Sequence, residues 1–200
     1  MHQKTLMFDI GGVLLETSGK EGLLRLLDAS ADRVDTLERW LASPAVQRFE
    51  RGHMHAGEFA DAFIEEWNLQ VSREEFLADF STWVIGSYPG VEELLQSLRS
   101  TYKMVCLSNA NEIHWPHCKR IEGHFDRMFA SHQTGFVKPD RETFEFVLSE
   151  LGEKPENIYF FDDLASNVEA ARALGINAFQ VNGFLELQQI LRKEMLHPAQ

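Results

Sequence analysis

Four polar groups stand at the ends of apolar runs, and their types fit phosphoryl chemistry. Asp9 follows Thr5-Leu6-Met7-Phe8 and precedes Ile10-Gly11-Gly12-Val13-Leu14. Ser108 and Asn109 follow Met104-Val105-Cys106-Leu107, Lys138 precedes Pro139, and Asp162-Asp163 follow Ile158-Tyr159-Phe160-Phe161. A carboxylate such as Asp9 is able to attack phosphorus and form an acyl phosphate. Gly11 and Gly12 let the backbone approach a phosphate closely and turn N–H groups toward it. Two adjacent acids repel each other unless a cation lies near. Mg²⁺ takes oxygen ligands, often one or two carboxylates together with a substrate phosphate. Asp9 and Asp163, with a main-chain carbonyl near Gly11, offer such a set. Asn167, four residues past Asp163, reaches back over one helical turn to orient a metal carboxylate or its water. The Ser108 hydroxyl and N–H groups around Asn109 suit phosphate oxygens. The Lys138 ammonium suits the charge that gathers on a transferring phosphoryl group.

Each of these residues alone has a plain structural reading. Asp9 caps a turn, Asp163 caps a helix starting near Ala165, Ser108 closes a strand-to-helix connection, Asn167 is a solvated helix residue, and Lys138 is a loop residue. Their order favours chemistry, because polar residues ending strands of a parallel sheet meet outside its carboxyl edge.

The elements that must position them follow from periodicity. Strands are expected over 4–8, 103–107, 128–130, 157–161 and 177–181, and helices over 91–98, 141–151, 165–174 and 184–195, with loop or helix over 113–122. Alternation of this kind implies a parallel sheet covered on both faces. Between residues 18 and 85 the pattern is helical throughout. Leu23, Leu24, Leu26 and Leu27 form one apolar face; Val34, Leu37, Trp40 and Leu41 a second; Phe59, Phe63, Ile64 and Trp67 a third; Phe76, Phe80 and Val84 a fourth. Asp32 is placed to cap the second helix and Ser43-Pro44 to end it. Arg51-Gly52 and Ala56-Gly57 read as turns. Ser72, with Glu75 three residues on, reads as a capping box. The expectation is an α/β, Rossmann-like parallel-sheet core over residues 1–16 and 88–200. A small four-helix-bundle cap over 17–87 is inserted after the first strand, placed to act as a lid.

Bulk composition narrows the function. The chain has 200 residues, 44% of them hydrophobic, and a formal net charge of −12. That length and apolar content suit one compact domain with a smaller insertion. So acidic a chain repels phosphate backbones and anionic lipid, which argues against nucleic-acid and membrane partners. No apolar run reaches the length of a membrane span, and the first residues do not read as a signal peptide. Two separated cysteines, Cys106 and Cys118, make no disulfide framework, so a cytoplasmic setting is expected. A monomer and a homodimer fit equally well.

Taken together, the chain resembles the haloacid dehalogenase-like hydrolase superfamily. The resemblance rests on four motifs: Phe8-Asp9-Ile10-Gly11-Gly12-Val13-Leu14, Leu107-Ser108-Asn109, Lys138-Pro139, and Phe161-Asp162-Asp163 with Asn167. It spans essentially the whole chain, the helical insertion included. Glu50-Arg51-Gly52, Ser108-Asn109-Ala110-Asn111 and Phe161-Asp162-Asp163 look most like the branch of small sugar-phosphate phosphatases that includes bacterial glucose-1-phosphate phosphatase. The resemblance implies that Asp9 is the nucleophile. It implies that Mg²⁺ is held by Asp9, the Gly11 carbonyl and Asp163, with Asp162 and Asn167 in support. Ser108 and Lys138 would bind the phosphoryl group, and water would release it from the aspartyl-phosphate. The implied partner is a small phosphorylated metabolite.

One position departs from the pattern. Phosphatases of this superfamily usually carry a second aspartate two residues after the nucleophile, as acid and base. Here that residue is Gly11, which does neither. Such a group is worth about 10²–10⁴-fold in rate. A slow or leaving-group-restricted enzyme follows, or a substitute from elsewhere, with His53, His55, His114 and His117 in range by position. A phosphate-binding protein without turnover is a further alternative. A 2-haloacid dehalogenase is a third reading, disfavoured because an uncompensated Asp162-Asp163 pair would hinder attack by another carboxylate. For the leaving group, position alone suggests Arg48, Arg51, Trp115 and His117.

Overall fold

The computed structural model describes residues 3–27 and 33–196; the expected cap at Asp32 lies outside them. Five parallel strands form the central sheet in the order β5-β4-β1-β6-β7, with β1 Thr5–Phe8, β4 Lys103–Ser108, β5 Arg127–Ala130, β6 Ile158–Asp162 and β7 Asn177–Gln180. Side chains alternate across a strand, and here both alternating sets are buried. Leu6, Phe8, Met104, Cys106 and Phe161 pack on one face against α6 (Val91–Leu98) and α11 (Phe184–Leu191). Met7, Val105, Leu107 and Phe160 pack on the other, against α9 (Arg141–Leu151) and α10 (Ala165–Arg172). Burial on both faces makes these strands read as continuous apolar runs. It also forces the polar residues to the strand ends.

Strand β1 is central, with Phe8 in register with Cys106 of β4 and Phe161 of β6. Asp9, Ser108 and Asp162 therefore emerge at one edge. The chain passes from β1 to one side (β4, β5) and then returns to the other (β6, β7). This is the topological switch point at which open α/β sheets bind ligands.

Between β1 and the remaining sheet lies the helical block. It leaves through β2 (Leu15–Thr17) and returns through β3 (Val84–Ser87), which pair antiparallel. The sequence pattern shows neither strand, since each is short and only partly buried. The block holds five helices among the described residues, not four: α1 Gly19–Leu26, α2 Arg33–Ala42, α3 Pro44–Glu50, α4 Ala56–Trp67 and α5 Arg73–Phe80. The extra one is α3. Ser43-Pro44 does end α2, but it also starts the next helix: the Ser43 hydroxyl accepts the Val46 N–H at 3.2 Å, and Pro44 takes the first turn, where no N–H is needed. Ala56-Gly57 likewise opens α4 instead of turning, whereas Ser72 and Glu75 form the expected capping box.

Aromatic side chains hold this block together. Phe49 stacks on Phe59 with centroids 4.2 Å apart, and Phe63, Phe76 and Phe80 complete the cluster. Each buried phenylalanine contributes about 1.5–3 kcal/mol over exposure. Of the second apolar stripe, Trp40 joins this cluster, whereas Leu37 and Leu41 are 47% and 40% exposed.

The turn after α3 fastens the block to the sheet edge. Gly52 has φ +72°, and a Cβ there would lie 2.1 Å from the carbonyl oxygen of His132 in α8 (Ser131–Thr134). Only glycine permits that approach. Beside it, Arg51 pairs with Asp140 at 2.6 Å and donates to the Gly135 carbonyl at 3.3 Å. The Ala56 N–H donates to Glu112 at 2.7 Å.

Candidate functional site

The site forms around Lys138. Its ammonium is 1% exposed and donates to Asp9 Oδ1 (2.8 Å), Asp162 Oδ2 (2.6 Å) and the Leu107 carbonyl (2.9 Å). Three N–H groups thus meet three acceptors, which is what a buried ammonium needs. Asn109 fixes the lysine's backbone. Its side-chain oxygen accepts the Lys138 N–H at 2.8 Å, and its amide nitrogen donates to the Lys138 carbonyl at 2.9 Å. The Lys138–Pro139 peptide is cis.

Asp162 is wholly buried and fully engaged. Beyond Lys138, its Oδ1 accepts the Leu164 N–H and the Asn167 side-chain amide, both at 2.9 Å. The helix-capping alternative for Asp163 is therefore not what is observed: Asp162 takes the N–H at the start of α10, and Asp163 turns the other way. No hydrogen bond or ion pair from another described residue reaches the Asp163 carboxylate. It lies against Gly12, where a Cβ would stand 2.7 Å from its Oδ2, and Gly12 itself has φ +72°. The Gly12 N–H donates to the Leu15 carbonyl at 2.8 Å. Gly12, whose N–H was expected to face a phosphate, thus serves as a steric cradle for Asp163, while the Asn109 side chain clamps Lys138.

The carboxylates crowd together. One oxygen from each of Asp9, Asp162 and Asp163 lies within 4.8 Å of the others. Burial, followed by the Asp9 and Asp162 charges, lifts Asp163 to about 7, while Lys138 works against the rise. Burial also lifts Asp9 to about 6; Lys138 opposes this and Asp162 adds to it. One ammonium against three carboxylates leaves a net negative site. The side-chain oxygen of Asn167 is also buried without a hydrogen-bond partner, although buried acceptors are nearly always satisfied. An electron-rich cluster, an unengaged carboxylate and an orphaned acceptor together fit a hydrated divalent cation.

A cavity of about 170 Å³ opens beside the cluster, lined by Gly11, Ser108, Asn109, Asn111 and His114 from the sheet edge and by Trp40, Glu50, Phe80 and Trp83 from the helical block. Its size suits a small ligand. The 108–111 loop is rigidly held: Ser131 Oγ accepts the Ala110 N–H and donates to the Ala110 carbonyl, both at 3.0 Å. Asn111 Oδ1 accepts the N–H groups of Ile113 and His114.

Arg48, Arg51, Trp115 and His117 do not line this cavity. Arg48 is exposed, Arg51 is turned to Asp140, and Trp115 is a core residue. Position in the sequence brought them near, but their side chains point elsewhere. Glu50 and the three aromatic residues escaped notice because helical spacing marks such aromatics as core. The run Glu50-Arg51-Gly52, with a glycine breaking the helix beside two charges, was the available signal. Cys118 also borders the cavity. Burial lifts its thiol to about 12 and that of Cys106 well above its ordinary value, so neither is a reactive thiolate.

Known proteins share this arrangement of chain. The sequence profile for haloacid dehalogenase-like hydrolases matches residues 3–175. A D-ribitol-5-phosphate phosphatase of Bacteroides thetaiotaomicron is 25% identical over 203 residues, covering 94% of this chain and 96% of its own. A phosphorylated carbohydrates phosphatase of Thermotoga maritima is 28% identical over 180 residues, covering 86% of this chain and 82% of its own. A HAD family enzyme of B. thetaiotaomicron, solved in complex with magnesium and inorganic phosphate, superposes with a TM-score of 0.73 at 25% identity, covering 90% of this chain and 94% of its own. This chain belongs to the haloacid dehalogenase-like hydrolase family.

Proposed function

We propose that the protein is a Mg²⁺-dependent phosphatase of small phosphorylated metabolites, phosphorylated sugars foremost, working through an aspartyl-phosphate on Asp9. The observation that carries this reading is the cluster of Asp9, Lys138, Asp162 and Asp163 at the switch point of the sheet, opening on a small cavity. The names of the relatives, phosphatases of a pentitol phosphate and of phosphorylated carbohydrates, support the substrate class. The magnesium and phosphate bound to a solved relative support the cofactor.

Asp9, the Gly11 carbonyl and Asp163 would hold the ion, with Asp162 and Asn167 steadying them. When bound, Mg²⁺ screens the carboxylates and offsets charge on the phosphoryl oxygens. Lys138 holds Asp9 by Oδ1, and the Asp9 carboxylate attacks phosphorus in line with the departing oxygen. Ser108 and the backbone beside it receive the phosphoryl oxygens. Residues 17–87 form the cap, whose aromatic residues and Glu50 close the cavity over the leaving group and exclude water.

Gly12 gives a first test of the metal site. Gly12→Ala strains a left-handed backbone and drives a methyl into Asp163 Oδ2. The expected outcome is a loss of about 1–3 kcal/mol in stability and at least a roughly 10-fold weaker Mg²⁺ response. Urea denaturation and Mg²⁺ titration of the thermal midpoint measure the two. Unchanged Mg²⁺ response would remove Asp163 from the metal site.

The activity itself is tested by inorganic phosphate release from sugar and polyol phosphates, nucleotides and acyl phosphates, with Mg²⁺ or with EDTA. Turnover of a phosphorylated sugar or polyol is expected, falling by about 10²-fold or more in EDTA. Silence across the panel from folded protein would favour phosphate binding without turnover. Chelator-insensitive chloride release from a 2-haloacid would favour dehalogenation.

A further inference from the structure

We propose that Glu50, at the C-terminal end of α3, is the general acid and base that Gly11 cannot be, reaching the leaving group from the cap. The proposal rests on the phosphatase reading above.

The other proton donors near the site are accounted for. His53 and His55 are exposed and do not line the cavity. His117 is half-buried but also lies outside the lining. His114 does border the cavity, but its Nε2 is 2.8 Å from the Phe80 carbonyl and its Nδ1 is 3.3 Å from the Asn111 amide. With both nitrogens engaged and burial lowering its pKa, it holds no proton for a substrate. Glu50 remains. It lines the same cavity as Gly11 and Ser108. Among the described residues its carboxylate has no hydrogen-bond or ion-pair partner; it feels only the charges of Lys138, Asp9 and Arg51. A carboxylate turned into a cavity with nothing to bond is poised for a ligand.

Its position is held from both sides. Phe49, its neighbour in α3, stacks in the cap core. Arg51 and Gly52 fasten the following turn to the 135–140 loop and to His132. Arg51 is thereby drawn toward Asp140 and leaves the carboxylate unpaired. Burial raises Glu50 to about 7, Lys138 and Arg51 opposing and Asp9 assisting, with His114 and Cys118 bordering the same cavity. An acid of that strength exchanges protons readily at neutral pH.

In the first step the Asp9 oxygen bonds to phosphorus, the bond from phosphorus to the leaving oxygen breaks, and the Glu50 proton passes to that oxygen. In the second, the Glu50 carboxylate takes a proton from water as the water oxygen bonds to phosphorus. The acyl-phosphate bond breaks, which returns the Asp9 carboxylate, inorganic phosphate and protonated Glu50.

The test is kcat/KM of the wild type, Glu50→Gln and Glu50→Asp, with Mg²⁺, on 4-nitrophenyl, phenyl and simple alkyl phosphates. 4-Nitrophenolate departs without a proton, whereas an alkoxide does not. Glu50→Gln is expected to lower kcat/KM by about 10²–10³-fold on alkyl phosphates and by less than about 10-fold on 4-nitrophenyl phosphate. It should also remove the wild-type fall in alkyl-phosphate kcat/KM that loss of the Glu50 proton brings as pH rises. Glu50→Asp, which keeps the acid on a shorter arm, should recover part of the loss and gives the same leaving-group comparison if the glutamine variant is poorly folded. An equal loss on all esters, or none, would overturn the role of Glu50. Absence of phosphate release from the wild type would instead overturn the phosphatase reading beneath it.

Discussion

Asp9→Asn is expected to lower kcat for phosphate-ester hydrolysis by about 10⁴-fold or more, with a fold at least as stable as the wild type at neutral pH. The amide is a poor nucleophile and cannot form the acyl phosphate. The stability half follows from the site's charge. Asp9 is raised from 3.8 to about 6, so the folded state disfavours its ionised form even with Lys138 at 2.8 Å. Stability from the protonated form is fully present below about pH 4 and is lost as pH rises through about 6. Asparagine stands in for the protonated acid and keeps an oxygen for Lys138. Metal-free Asp9→Asn should therefore gain up to about 3 kcal/mol over the wild type at pH 8 and nothing near pH 4. Urea denaturation in EDTA at both values, beside phosphate release in Mg²⁺, measures this. Residual activity above a few per cent, or a clear loss of stability at pH 8, would contradict the account.

Lys138→Met should be the most damaging single change to the fold. Its ammonium joins β1, β4 and β6 through Asp9, the Leu107 carbonyl and Asp162. Methionine fills similar volume but leaves two buried carboxylates without their cation and the Leu107 carbonyl without the lysine's N–H. Breaking a buried ion pair by removing one partner costs about 3–5 kcal/mol, or roughly 6–20 °C in Tm for a chain of this size. The sign of the pH dependence follows. Asp9 without its cation is destabilising when ionised, so the deficit shrinks as pH falls and Asp9 takes up its proton. Lys138→Met/Asp162→Asn should recover part of the loss. Thermal denaturation at pH 5 and 8 checks all three statements. A deficit under about 1 kcal/mol at pH 8 would show that the lysine is not the centre of the site. Activity should fall by about 10²-fold or more even where the variant folds.

The sheet was legible because its strands are buried on both faces. Runs such as Met104-Val105-Cys106-Leu107 have no solvent-facing residue to interrupt them, so the first polar residue marks the edge where Ser108, Asp9 and Asp162 converge. The helical block was less legible. Pro44 ends one helix and begins another, and sequence weighs only the first effect. The two stem strands, β2 and β3, are too short and too exposed to alternate visibly. Asp162 and Asp163 read as an equivalent pair but differ sharply: one is saturated by Lys138, Leu164 and Asn167, and the other is unengaged against Gly12. Glu50 was hidden for another reason. A charged residue at a helix end normally faces solvent, and only the docking of Arg51 and Gly52 on the core turns this one inward.

The stereochemical course at phosphorus tests the central claim most directly. Hydrolysis of an isotopically chiral thiophosphate ester in labelled water, with Mg²⁺, reports the number of in-line displacements. Attack by Asp9 followed by attack by water inverts phosphorus twice, so the account predicts net retention. Net inversion would mean that water attacks the substrate directly, and that Asp9 forms no intermediate.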